Sequence, residues 1–480
     1  MELAGTAGEM SAAAPGGGDE PRANMVFVAA IVAVATIGGF MFGYDSGVIN
    51  GTQQGLEQAF HLTKLGTGFN VGAVLVGCAA GAFLAGRLSD VFGRRNVMIA
   101  AAALFIMSAI GAGAADSSFM FIVARLVGGL GVGAASVLSP VYISEVAPAA
   151  VRGRLSTAQQ IMIIAGLTGS FVVNYLIAKW AGGSTSVVMG HPAWRWMFWV
   201  QVIPASVFLV SLLTIPESPR FLVAKDRLGE AQAVLARLFG AGAAQAKVAE
   251  IRASLAADHH RPRLADLIEA GRVRPIVWAG VGLAVFQQLV GINVVFYYGA
   301  VLWQSVGFSE NDSLKINILS GSLSILACLA AMGVIDRIGR KPLLLIGSAG
   351  MAVSLALVAV AFSTATLVNG QAQLPHTAGL VALVAANIYV VFFNGTWGPV
   401  MWVMLGEMFP NQIRGSSLAV SGFAQWAANF AIALSFPVAA ATVGLVPTYA
   451  FYAVSALVSF FFVRSMINET RGRELEQMAG

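Results

Sequence analysis

The sequence predicts an all-α membrane protein: twelve transmembrane helices in two six-helix bundles, with a cytoplasmic helical insert between the halves. Three observations predict it. Of the 480 residues, 57% are hydrophobic and only 11% charged, and the mean hydropathy is +0.77. A soluble domain is about a quarter charged, so this chain lacks the charges to cover a water-facing surface, and composition excludes a soluble enzyme. The apolar runs last about twenty residues, which crosses a bilayer as a helix, whereas barrel strands alternate over about ten. Finally, short charged motifs recur in the same order in both halves.

Residues 1–24 are Ala/Gly-rich and polar, without the basic start and short apolar core of a signal peptide. They are expected to form a disordered cytoplasmic tail. The first bundle, 25–215, holds apolar runs starting near Val26, Phe69, Val97, Phe119, Leu155 and Trp194. The segment 216–274 is charged and amphipathic, with helical stretches at Leu228–Phe239 and 246–257, and is too polar to span. The second bundle, 275–467, holds runs starting near Pro275, Ser313, Pro342, Thr377, Leu418 and Pro447, and 468–480 is a polar tail. The 54 glycines suit close helix packing in lipid. Cys78 and Cys328 lie inside apolar runs without metal-site spacing and read as core filler.

Orientation follows from the basic residues. With the N-terminus inside, 23 of the 28 Lys and Arg are cytoplasmic, ten of them in the insert. Lys64, Lys179, Arg195 and Lys315 fall outside, and Arg125 lies within a span. Both termini are therefore expected in the cytoplasm.

The halves repeat. Asp90-Val-Phe-Gly93-Arg94-Arg95 recurs as Asp336-Arg-Ile-Gly339-Arg340-Lys341. Glu145, seven residues before Arg152-Gly153, recurs as Glu407, seven before Arg414-Gly415. Glu217 follows the sixth run as Glu469 follows the twelfth. Two equivalent bundles of this kind place a substrate between them, near the bilayer midplane. Two readings of the charges stay open. One is topology alone, which accounts for Arg and Lys but not for acids at fixed spacing. The other is a cytoplasmic ion-pair latch that holds the bundles together when the cavity faces outward and breaks when it faces inward.

Only Asp45 and Arg125 are ionisable residues clearly within spans, and such charges are expensive enough to suggest function. They lie at matching depths, so they are expected to pair, either as a static bridge or as a proton site that releases Arg125 on protonation. Histidine is no competitor, since His61, His191, His259, His260 and His376 all map to tails or loops.

Amides interrupt the apolar runs at Gln159, Gln160, Gln287, Gln288, Asn293, Gln425 and Asn429. Singly, each reads equally well as inter-helix glue. Along an unbroken helix, Gln288 and Asn293 would sit about 140° apart, while Gln425 and Asn429 share a face. With Trp402, Trp426 and Tyr297 nearby, the set suits a neutral, polyhydroxylated ligand, because a carboxylate or phosphate calls for buried Arg or Lys. Gly395-Thr-Trp-Gly398-Pro399 breaks the tenth run, as a flexible point beside the substrate or as a packing kink. The sequence shows no Walker A, dinucleotide fingerprint or metal-ligand cluster, so no cofactor is expected and the energy must come from a gradient.

These residues resemble the sugar porters of the major facilitator superfamily. The shared marks run over nearly the whole chain: Phe42-Gly-Tyr-Asp45, Gly86 to Arg95, Glu145 to Arg154, Pro216-Glu217-Ser-Pro-Arg220, Gln287-Gln288 with Gly291-Ile-Asn293, Asp336 to Arg340, and Trp402 with Glu407. The resemblance implies that Gln160, Gln287, Gln288, Asn293, Trp402, Gln425, Trp426 and Asn429 line a sugar site, with Phe42 and Tyr297 as gate or wall. It also implies that Asp45 stands where proton-coupled members carry an acid. Ser324 replaces an Asn common in relatives, and Asn468 a Pro. The expectation is a protein of the bacterial inner membrane that works as a monomer and imports a neutral monosaccharide, a hexose or pentose such as glucose or xylose. Import is expected to be coupled to proton symport, through Asp45 and Arg125. The expected partners are the sugar, the proton and the lipid bilayer, not nucleic acid. The alternatives are a facilitated uniporter and, remotely, a sugar-sensing receptor, whose long cytoplasmic extension the few residues after Glu469 do not supply.

Overall fold

A computed structural model describes residues 24–257, 264–269, 271–368, 371–410 and 413–471, without the side chains of 149–157, 256–257, 264–265, 367–368 and 371–372. The expected tail 1–24, apart from Asn24, and residues 472–480 lie outside the described residues.

Among the described residues, twelve helical spans are long and apolar enough to cross a membrane. The first six are Met25–Phe60, Lys64–Phe92, Arg94–Ala114, Ser118–Val146, Ala158–Ala181 and Ala193–Thr214. The second six are Pro275–Ser305, Glu310–Ile338, Arg340–Ser363, His376–Met408, Arg414–Thr442 and Leu445–Met466. Side-chain caps start several of them. Thr63 accepts from the Gly66 amide, Ser117 from Met120 and Ser309 from Asp312, each filling an orphan helix donor. His376, expected in a loop, is the first residue of the tenth helix.

Three spans are broken, each for a local reason. In the sixth, Pro204 has no amide to give the Val200 carbonyl, so the turn tightens at 200–201 and the helix restarts at Val202. In the seventh, Gly291 adopts φ +81° between Pro275–Leu289 and Ile292–Ser305, and a Cβ there would meet the Tyr452 ring at 2.7 Å. In the tenth, the expected break falls at Thr396, ahead of Pro399. Glycine also sets how closely spans approach. A Cβ at Gly43 would lie 1.8 Å from the Ile163 carbonyl oxygen, so only glycine lets the first and fifth spans cross here.

Between the bundles the described residues form three helices, Pro219–Ala224, Leu228–Phe239 and Ala241–Ala257, then a 3-10 turn at Leu264–Leu267 and a short hairpin, Ile268–Glu269 with Arg272–Val273. The insert touches both halves. The Asn24 amide donates to Leu238, and Arg237 covers the Phe27 ring at 4.2 Å. On the other side Leu267 packs with Val277 and Ile413.

The contacts between halves gather at the end away from the insert. Asn50 of the first span donates to the Phe296 carbonyl (2.8 Å) and accepts from the Ala300 amide (3.0 Å) and from Asn317 (2.8 Å). Gln53 donates to the Tyr297 carbonyl. The Ser184 amide donates to Glu310 at 2.9 Å, and Gly68 lies against the Leu434 backbone. None of Asn50, Gln53 and Asn317 stands out in the sequence.

Candidate functional site

Asp45 and Arg125 meet as the sequence expects. Arg125 Nη1 donates to Asp45 Oδ1 at 2.9 Å and Nη2 to the Asp45 carbonyl at 3.1 Å. Both side chains are sealed from solvent. The guanidinium also lies 5.7 Å from the Phe198 ring centre. The structure adds a third member that sequence reading missed. Gln201, in the break of the sixth span, donates to Asp45 Oδ1 at 2.9 Å. Its only sequence signal is a polar residue three before Pro204 in an apolar run.

The amides of the second half form a connected chain. Asn293 donates to Gln288 Oε1 at 2.6 Å, Gln288 to Gln287 Oε1 at 3.2 Å, and Gln425 to the same Oε1 at 3.4 Å. Gln287 donates to the Trp397 carbonyl at the break of the tenth span. The separation of about 140° expected for Gln288 and Asn293 fails because it assumes one continuous helix; the break at Gly291 turns Asn293 back onto Gln288. Asn429 donates to the Tyr297 hydroxyl at 3.3 Å. Across the halves, the Phe42 and Trp426 rings meet at a tilt of 43°, their centres 5.8 Å apart. Gln160 is half-buried and Gln159 buried, while Trp402 is 42% exposed. The fully buried Trp397 instead bonds Leu344 and Ser348. Ser324, the departure noted above, accepts from Asn394, a span-ten amide the sequence reading passed over. Both polar atoms of Gln159, Gln425 Oε1 and Asn429 Oδ1 are buried and unpartnered. These are open hydrogen-bonding positions of the kind a hydroxylated ligand fills.

At the other end, the repeated charges form two matching clusters. In the first half Arg94 bonds Asp90 (3.1 Å) and Glu145 (3.2 Å). In the second, Arg340 bonds Asp336 and Glu407, each at 2.9 Å. Glu217 accepts from the Arg94 and Arg95 amides, and Glu469 from those of Arg340 and Lys341. Each acid thus caps the start of a span, where free amides and the helix dipole favour negative charge. Ser218 donates to Glu145 as Thr470 does to Glu407. Arg95 closes the last carbonyls of the sixth span, and Lys341 the Arg464 carbonyl of the twelfth. None of these contacts joins the first bundle to the second. Arg414 bonds the Phe409 carbonyl. The side chain of Arg152 lies outside the described residues. Burial pushes the Glu469 carboxyl up, but the amides of Arg471, Arg340, Lys341 and Thr470 outweigh it and hold the group below the usual glutamate range.

Residues 31–480 match the family model described as "Sugar (and other) transporter". The chain is 48% identical over 462 residues to the glucose transport protein of Synechocystis sp., covering 96% of this chain and 98% of that one. It is 36% identical to the D-xylose-proton symporter of Escherichia coli K12, covering 95% and 96%. Among solved structures, the inward-open xylose transporter XylE of E. coli superimposes with a TM-score of 0.80 at 34% identity, over 94% of this chain and 99% of that one. These relatives are transporters, not enzymes. The chain belongs to the sugar transporter family, in its sugar porter branch with the major facilitator fold.

Proposed function

We propose that this transporter imports a neutral monosaccharide, glucose or xylose first among them, together with a proton. The observation that carries the reading is the sealed Asp45–Arg125 pair on the span that also bears Phe42, beside the amide chain. An acid in a dry site exchanges its proton only when its counter-charge moves. The relatives named for glucose and for proton-coupled xylose transport support the substrate class and the coupling.

In this reading the units 25–215 and 275–467 rock about the sugar and 216–274 forms a cytoplasmic brace, with both termini in the cytoplasm, in the inner membrane of a bacterium, as a monomer. Sugar hydroxyls take the open positions of Gln159, Gln425 and Asn429, with Gln160, Gln287, Gln288, Asn293, Trp402 and Tyr297 completing the wall and Phe42–Trp426 closing over it. The two charged clusters are the faces that meet when the insert end closes. Their ion pairs lie within halves here, and pairs across the halves belong to the opposite state. Exposed pairs contribute roughly 0–1 kcal/mol each, enough to bias that equilibrium without locking it.

The test is uptake in proteoliposomes over a panel of hexoses and pentoses, with and without an imposed pH gradient. Proton symport requires accumulation above equilibrium only with the gradient. Equilibration without accumulation would instead make the protein a facilitated uniporter, and ligand binding without any flux a receptor.

A further inference from the structure

Gln201 bonds the carboxylate oxygen that Arg125 also holds, which gives it a task the amides of the sugar chain do not have. An ionised carboxylate only accepts, whereas a protonated one must donate its O–H. In a sealed site that proton needs an acceptor. Arg125 offers donors alone. Gln201 offers both kinds on one planar group. Its Nε2 is engaged by Asp45 Oδ1, and its Oε1 is buried and unpartnered. A half-turn about the terminal torsion exchanges the two atoms, and this sp²-ended torsion is broad and roughly two-fold. Asp45 Oδ2 and Arg125 Nε are likewise buried without partners.

We propose that Gln201 is a positioning residue for the Asp45 proton, donating to the ionised carboxylate and, after a half-turn of its amide, accepting from the protonated acid. This rests on the proton-coupled reading above. A proton from water adds to Asp45 Oδ1 and forms the O–H bond. The hydrogen bonds from Arg125 Nη1 and Gln201 Nε2 are released, and the new O–H donates to Gln201 Oε1. Nothing is oxidised or reduced, and Arg125 leaves with its charge while the acid keeps a partner.

Other groups face Asp45 as well. Cys78 of the second span and Tyr297 of the seventh interact electrostatically with it and with Arg125. Tyr297 already accepts from Asn429. Ser108 of the third span is unpartnered, and both it and Asp45 Oδ1 lie within 3.7 Å of where a Gly128 Cβ would stand. On the sixth span Arg195 is turned away, to the Gly113 carbonyl and Asp116. Ser108 is therefore the control.

The test is infrared titration of the protonated-carboxyl band that Asp45→Asn removes, in wild type, Gln201→Met, Gln201→Asn and Ser108→Ala. The charge-assisted bond to the ionised form is the stronger one lost. Gln201→Met is expected to raise the midpoint by about one pH unit or more, Gln201→Asn by less in the same direction, and Ser108→Ala hardly at all. Gln201→Asn carries the test if Gln201→Met does not fold. Equal midpoints in wild type and the Gln201 variants, or an equal shift from Ser108→Ala, would overturn the proposal. The two readings fail separately. Wild type that moves no protons with sugar, yet shows the Gln201 shift, refutes symport and leaves Gln201 tuning a static acid. Sugar-coupled proton flux with an unmoved midpoint refutes the Gln201 role alone.

Discussion

Asn50 and Asn317 are joined at 2.8 Å across the two halves, and the same Asn50 side chain also engages Phe296 and Ala300. One buried amide thus carries three of the bonds that pin the far end of the bundle shut. Each net bond contributes about 1 kcal/mol, so removing them is worth on the order of 1–3 kcal/mol between the two states. Asn50→Ala is expected to shift the population toward the state open at that end by roughly 5- to 150-fold. Spin labels at Leu65 and Asn311 read this directly. The long-distance fraction should grow in the variant, and an unchanged distance distribution would show that other contacts hold the seal.

The Asp45–Arg125 pair sets a stability test. Breaking a buried pair by removing one partner costs about 3–5 kcal/mol because a bare charge stays behind. Arg125→Gln is expected to lower the thermal midpoint strongly. Asp45→Asn combined with Arg125→Gln removes both charges and should recover much of the loss. Thermal unfolding of the purified single and double variants checks it, and a double variant no more stable than Arg125→Gln would mean that Asp45 is not left charged.

Glu469 gives a pH dependence. Its folded carboxyl is held below the ordinary range, so its contribution is fully present above that range and is lost as pH falls through the folded value. The difference in thermal midpoint between wild type and Glu469→Gln is expected to be largest near neutral pH, to shrink below the ordinary glutamate value of about 4.3 and to vanish at the lower pH where the folded carboxyl takes its proton. A difference that stays constant down to that pH would show that the charge does not matter to the cap.

The spans and the buried pair were legible in the sequence for the same reason. Hydrocarbon tolerates few charges, so twenty-residue apolar runs and one Asp and one Arg inside them stand out. The repeated acids were legible as motifs, but not as helix caps, because a cap is defined by which amides it faces. Gln201, Asn50 and Gln53 were not legible. Each is an uncharged amide without a recognisable motif, and its meaning depends on a partner 156, 246 or 244 residues away. Gln288 and Asn293 show the converse failure, since helical spacing does not hold across Gly291, which ends the helix. Trp397 and Trp402 lie close in sequence, yet one is sealed in a wall and the other is partly open. Residue type alone could not separate them.

In the proposed mechanism Asp45 carries the coupled proton. Lumenal pH in proteoliposomes on adding the transported sugar reads that proton, with wild type and Asp45→Asn side by side and sugar exchange as the control. Proton symport through Asp45 requires lumenal acidification by wild type, and an Asp45→Asn variant that still exchanges sugar but neither acidifies the lumen nor accumulates sugar. Sugar entry through wild type with no pH change, or an Asp45→Asn variant that still acidifies the lumen, would contradict it.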